Sequence, residues 1–327
     1  MSVNATMSEF SRILVIRLGA MGDIFHTMPA VAGLRARHHT AKITWVVEQK
    51  WELLLAGCPF ADEVFVLDRS SLAGIVHAWG ELRRRQFDLV IDFQGLLKSA
   101  LIARLSGAAT RLGYPRADLR EPLAAMFYNS TKAVDALHVV DRHRQLASVD
   151  SPVQFYLPQG TNEASLPYGP YVLTCPLAGW GAKQWPKEYY GELARGVDAE
   201  LGMPLVVNGP PGESFAHLAP AFPHLSGLPG LIDATRRAVA IVGLDSGPLH
   251  MAASIQKPGV AIFGPTDPAR NGPYGKSFRV LRSAAATNTY KRDNMEHAAM
   301  RSITPRMVLD ELKKCLATSS QNPTPTP

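Results

Sequence analysis

The sequence predicts an α/β fold class in which two Rossmann-like halves each build a parallel sheet. Three observations carry that expectation. Short apolar runs alternate with longer segments of helical composition along most of the 327 residues. The runs are continuously hydrophobic, as strands covered on both faces are. A polar stretch near the middle, QGTNEASLPYGP (159–170), is rich in Gly and Pro and precedes a fresh apolar run, which marks a linker.

Taken in order, the first half offers strands at 13–16, 43–47, 64–67 and 89–93, with helical composition at 28–37 and 98–106. The second half offers strands at 171–175, 204–207, 240–244 and 260–263, with a helix at 187–201. Alternation of this kind argues for parallel α/β units. Thr304-Pro305 opens a last helix over 306–316, and ATSSQNPTPTP beyond it reads as a disordered tail. The expected division is 1–160, 161–305, a terminal helix at 306–317 and a tail at 318–327. Two such sheets place a ligand cleft at the carboxyl ends of their strands.

Composition narrows the function. With 46% hydrophobic and 19% charged residues, the chain suits two domains with separate cores. Lys and Arg outnumber Asp and Glu by 34 to 28, and the excess is spread along the chain. That balance fits an anionic substrate or a membrane surface, or simply a basic soluble protein, and lacks the dense run of a nucleic-acid arm. Cys58, Cys175 and Cys315 lie far apart, with no partner at metal or redox spacing, so reduced cytoplasmic thiols are expected. The first residues lack an apolar signal core, and no apolar run reaches about 18 residues, so neither secretion by that route nor a membrane span is expected.

RLGAMGDIFHTMPAV (17–31) follows the first strand with a glycine-bearing turn and a helix, the usual opening of a nucleotide site. Yet its Asp23 would repel phosphate. It serves either as a cap for the following helix or as a functional acid. In the second half, VGLDSGPLHMAA (242–253) leaves a strand at Asp245-Ser246-Gly247 and enters a helix with Pro248 in its first turn. Free amides and the dipole make such a terminus an anion site, within reach of His250. The same residues also fit an ordinary capped helix with local hydrogen bonds. GWGAKQWP places Lys183 in a strand-end loop, either solvated or neutralising a phosphate, a contact worth roughly 1.5–3 kcal/mol. NGPPGES offers Glu213 to a sugar or ribose hydroxyl, and FGPTDPARNGPYGK is a fourth irregular strand-end loop. Jointly these loops read as a nucleotide-diphosphate site. In the first half, Lys98 of DFQGLLKSA opposes its own helix dipole by roughly 0.3–1 kcal/mol, a pointer to an anionic ligand. Arg116, Arg120, His138, Arg142 and Arg144 together suggest a basic acceptor pocket, although each alone reads as a solvated charge.

Gly22-Asp23, DFQGLLKSA, REPLAAMFYN, GAKQWP, LDSGPLH and GPTDP occur in an order and spacing that resembles bacterial ADP-heptose:lipopolysaccharide heptosyltransferases, type I more than type II. The resemblance runs from Ile13 to about Leu316. It implies the GT-B fold, with the acceptor on the first domain, the ADP-sugar on the second, and the last helix packing back on the first. It implies inverting transfer of heptose to the Kdo residue of a lipid A precursor at the cytoplasmic face of the inner membrane, with no metal or cofactor. Asp23 then becomes the general base. Lys183, Glu213, Asp245, Ser246, Gly247 and His250 become donor contacts, and Lys98, Arg120, His138 and Arg142 acceptor contacts. Where relatives carry hydroxyl residues before the lysine, this chain has Ala178-Gly179, so backbone amides would substitute. A nucleotide-sugar epimerase or hydrolase, a different acceptor, and a non-catalytic nucleotide-binding module stay open as alternatives. An NAD-dependent oxidoreductase is disfavoured, because GAMGD lacks the G-x-G-x-x-G turn.

Overall fold

The computed structural model of the chain describes residues 10–67, 72–284, 286 and 298–321. It divides into two units, Met1–Tyr156 and Leu157–Pro327, four residues before the boundary expected from the sequence. The first contains β1 (Arg12–Ile16), α1 (Met21–Arg37), β2 (Lys42–Glu48), β3 (Glu63–Leu67), α2 (Leu72–Arg84), β4 (Leu89–Asp92), α3 (Leu97–Leu105), β5 (Thr110–Gly113), β6 (Ser130–Thr131) and α4 (Val139–Leu146). The second contains β7 (Val172–Thr174), α5 (Lys187–Leu201), β8 (Leu205–Gly209), β9 (Phe222–Leu225), α6 (Leu228–Arg237), β10 (Ala240–Leu244), α7 (Gly247–Ser254), β11 (Gly259–Phe263), α8 (Pro268–Asn271), β12 (Phe278–Arg282), α9 (Ala298–Arg301) and α10 (Pro305–Gln321).

Each unit has one parallel sheet, ordered β3-β2-β1-β4-β5-β6 and β9-β8-β7-β10-β11-β12. Both are doubly wound. The strand order reverses between β1 and β4 in one unit and between β7 and β10 in the other, where such sheets bind ligands beyond their carboxyl ends. Central strands are the apolar runs of the sequence: Ile13–Ile16 of β1 are wholly buried, in register with Ile43 and Leu89 at Ile13. Four strands escaped the sequence reading: β5, β6, β9 and β12. They are short or half exposed, so they show no continuous apolar run, and Pro223 in β9 is tolerated at a sheet edge.

Helix α1 begins at Met21, seven residues before the helical composition first reads clearly. Gly22 and Asp23 have poor interior propensity, but an acid in the first turn complements the dipole, as Arg35 and Arg37 do in the last. The turn before it needs Gly19 (φ +157): a Cβ there would lie 2.6 Å from the Trp51 indole nitrogen. Helix α5 ends on Gly202 in the left-handed region (φ +63), which relieves its last carbonyls.

The second core gathers Trp185, Tyr190, Leu193, Val197, Val207, Val242 and Val260 around α5 and the sheet. Val308, Leu309 and Leu312 of α10 are buried in this same core, and α10 packs on α5 and β11. The terminal helix was expected against the first domain; the contacts described for it lie within the second unit, where Trp185 Nε1 also donates to Ile303 O at 2.7 Å. The helix continues to Gln321, into the stretch expected to be disordered; 322–327 lie outside the described residues.

Candidate functional site

In the second unit, the loops after β7 and β10 meet at the point where strand order reverses. Lys183, in a 3-10 turn (Gly181–Lys183), donates from Nζ to Asp245 Oδ2 at 2.5 Å and lies over the Trp180 ring at 4.4 Å. Thr266, from the GPTDP loop after β11, donates its hydroxyl to the same oxygen at 2.6 Å. His250, one turn into α7, places Nε2 3.6 Å from Asp245 Oδ1. Three strand-end loops are thus tied through one buried carboxylate. Burial alone would push the Asp245 carboxyl up. The His250 imidazole and the Lys183 ammonium outweigh that and hold it well below the usual carboxylate range.

Ser246 and Gly247 open α7 beside this cluster and are half-buried. Ser246 is the N-cap residue, but its hydroxyl turns back to Leu244 O at 3.3 Å and makes no cap bond. The amides of the first turn therefore receive no cap from it. Glu213 stands apart from the cluster: it is exposed on the loop after β8, and its carboxylate accepts the Ser214 N–H at 3.1 Å.

In the first unit, Asp23 occupies the first turn of α1 at the carboxyl end of β1. Its Oδ2 accepts the Ala20 N–H at 3.1 Å, the capping contact that the sequence left open. The same oxygen pairs with Arg17 at 2.5 Å, and 43% of the Asp23 side chain remains exposed. Arg17 is buried and also donates to Phe93 O at 2.7 Å, while Leu18 N–H donates to Gln94 Oε1, so the loops after β1 and β4 are locked together. Beneath them Asp92 is fully buried, taking the Tyr128 hydroxyl at 2.7 Å and the amides of Gln94 and Gly95. Burial pushes the Asp92 carboxyl up, against the pull of those donors and Ser99.

The basic residues expected to meet the acceptor fall into separate settings. His138 caps α4, accepting the Val140 N–H at 3.1 Å, and its ring meets His26, one turn after Asp23 on α1, at 5.9 Å. Lys98 sits 3.5 Å from Glu48, and the Glu121 carboxylate accepts the Leu97 N–H at 2.7 Å, so two acids offset the unfavourable cation at the start of α3. Arg142 is turned toward Asp118 at 3.7 Å and lies over the Tyr114 ring. Arg120 is exposed.

Sequence reasoning missed Arg17, Asp92 and Thr266. All three stood inside motifs already singled out, and the signal was a charged or hydroxyl side chain at or near the end of an apolar strand. Among the described residues no group of three or more His, Cys, Asp or Glu side chains is placed to hold a metal ion.

With that geometry in place, the comparisons identify the lineage. Residues 75–300 match the model of glycosyltransferase family 9 (heptosyltransferase). Lipopolysaccharide heptosyltransferase 1 of Pseudomonas aeruginosa is 32% identical, over 81% of this chain and 82% of that protein. The protein of the same name from Escherichia coli O18:K1:H7 is 28% identical, over 88% of this chain and 99% of its own length. The solved structure of E. coli heptosyltransferase WaaC with ADP is 25% identical and has a TM-score of 0.73, covering 93% of this chain and 99% of that one. The chain belongs to glycosyltransferase family 9, and its two parallel-sheet units are those of a GT-B glycosyltransferase.

Proposed function

We propose that this family 9 glycosyltransferase moves heptose from ADP-heptose to a Kdo residue of a lipid A precursor, with inversion, at the cytoplasmic face of the inner membrane. The donor belongs to the second unit. Lys183 and the amides at Ser246 and Gly247 receive the diphosphate, and Glu213 accepts a sugar or ribose hydroxyl. Asp245 and His250 hold Lys183 and the start of α7 in place for that contact. The reaction calls for no metal ion, because the ammonium and the helix terminus supply the positive charge that the leaving group needs.

The anionic acceptor belongs to the first unit, with Lys98, Arg120, His138 and Arg142 as its cationic contacts. Asp23 takes the proton from the acceptor hydroxyl as that oxygen attacks the anomeric carbon. The bond from this carbon to the diphosphate breaks on the opposite face, and ADP departs with the electron pair. General-base help of this kind is worth roughly 10²–10⁴-fold.

The observation that carries this reading is the Asp23 side chain. It is anchored through one oxygen by a buried arginine at the strand-order reversal, yet it is 43% exposed. That exposure leaves the carboxylate accessible to a substrate hydroxyl, as a general base requires. The test is incubation with ADP-heptose and a Kdo-bearing acceptor, followed by mass spectrometry. The expected product is heavier by one heptose; ADP release without acceptor would instead assign a hydrolase or epimerase.

A further inference from the structure

We infer that the exposed face formed by α3 and the 3-10 turn Pro122–Phe127 is a docking surface for an anionic lipid bilayer. This goes beyond the proposed transfer by naming the surface that meets the membrane. It stands on the first unit alone.

Helix α3 packs along that turn. On α3, Leu97 and Leu101 are one turn apart and 42% and 44% exposed; on the 3-10 turn, Leu123 and Met126 are 57% and 74% exposed. Four large apolar side chains on two adjoining elements make a patch, which a soluble surface of scattered leucines does not. Nor is the patch a loose loop. Ala124 between Leu123 and Met126 is fully buried, Tyr128 just beyond is pinned through its hydroxyl to the buried Asp92, and Arg111 donates to Phe127 O at 3.0 Å. The turn is anchored on its inner side, which holds Leu123 and Met126 outward.

Charge then selects the occupant. Lys98, Arg104, Arg116 and Arg120 are exposed on these elements and the segment leading into them. Three acids lie nearby: Glu48 is paired with Lys98 at 3.5 Å, Asp118 with Arg142 at 3.7 Å, and Glu121 accepts the Leu97 amide at 2.7 Å, so Arg104, Arg116 and Arg120 stand in excess over the Glu121 carboxylate. An apolar centre with a net basic rim is the arrangement of a peripheral membrane surface, in which side chains enter the headgroup boundary while cations meet anionic lipid. No helix among the described residues is long and apolar enough to span a bilayer.

The test is co-sedimentation of the full chain with vesicles of mixed phosphatidylglycerol and phosphatidylcholine, against pure phosphatidylcholine. Binding is expected on the anionic vesicles, and it should weaken as salt is raised. The double variant Leu123→Ser/Met126→Ser should lose about 10-fold in partitioning, and Arg104→Glu about 3-fold. Leu97→Ser/Leu101→Ser probes the other half of the patch should the first pair not fold, with thermal melting as the control. No binding of the unaltered chain to anionic vesicles would overturn the inference, as would undiminished binding by a folded double variant. A dimer in sedimentation velocity that the double variant abolishes would overturn it too, assigning the patch to a second copy. Transfer to a soluble, lipid-free Kdo acceptor should be unchanged in the double variant. Should the unaltered chain bind vesicles but fail to transfer, the reaction would fall and the surface would stand.

Discussion

Both units set a carboxylate beside the point where their strand order reverses, and they treat it in opposite ways. Asp245 is buried among Lys183, His250 and Thr266, which use both of its oxygens. Asp23 is engaged at one oxygen by Arg17 and the Ala20 amide and leaves much of its side chain in solvent. The same residue type at the same kind of topological place is thus a tie between loops in one unit and an accessible acid in the other. The difference comes from the number of donors converging on the carboxylate, which the strand-end loops supply and the sheet does not.

The sharpest way to break this contrast is Asp23→Asn. It should cut transfer by roughly 10²–10⁴-fold, read from product formation, while calorimetry finds ADP affinity within about 2-fold. Retained turnover would make Asp23 merely a cap. Asp245→Ala should behave the other way, as loss of a buried partner: about 3–5 kcal/mol of stability, measured by denaturant unfolding, along with ADP binding.

The same carboxyl sets a pH dependence. Its pKa is held below the unfolded value, so its contribution is complete above the usual carboxylate range and is lost as pH falls through and below that range. The melting temperature of the unaltered chain should therefore fall more steeply on acidification than that of Asp245→Asn; parallel curves would remove Asp245 from the account. Lys183→Ala should weaken ADP binding by about 10–100-fold, the cost of one charge-assisted contact, and unchanged calorimetric affinity would strike it from the site. The smallest effect is expected from Arg17→Lys, which keeps a cation near Asp23 but loses the second bond to Phe93 O. A drop in kcat of about 10-fold or less, with KM unchanged, would mark Arg17 as a positioning residue.

Much of this was legible in the sequence because the chemistry sits at the ends of fully buried strands. β1, β4, β10 and β11 announce themselves as apolar runs, and the residues that follow them include most of the candidate site. The edge strands β6 and β9 carry no such signal, since a two-residue strand or one holding a proline has nothing periodic to read. Side-chain direction was less legible still. Lys183, Asp245 and His250 lie 62 and 5 positions apart in the pairs that the fold joins, and only the shared edge of one sheet predicts their meeting. Thr266 and Arg17 were passed over because a threonine or an arginine in a loop is usually solvated. The segment around Ser246 also fitted an ordinary capped helix, but the Ser246 hydroxyl donates back to Leu244 O and makes no cap bond.

The ion pair at the second unit also bears on what can be held there. A lysine whose charge is already balanced by an internal acid makes a poor trap for stray weak anions, because a single negative group must compete with a partner fixed at 2.5 Å. On the proposed reading a diphosphate would meet that lysine together with the backbone amides at the head of α7, two contacts where a lone small anion has one.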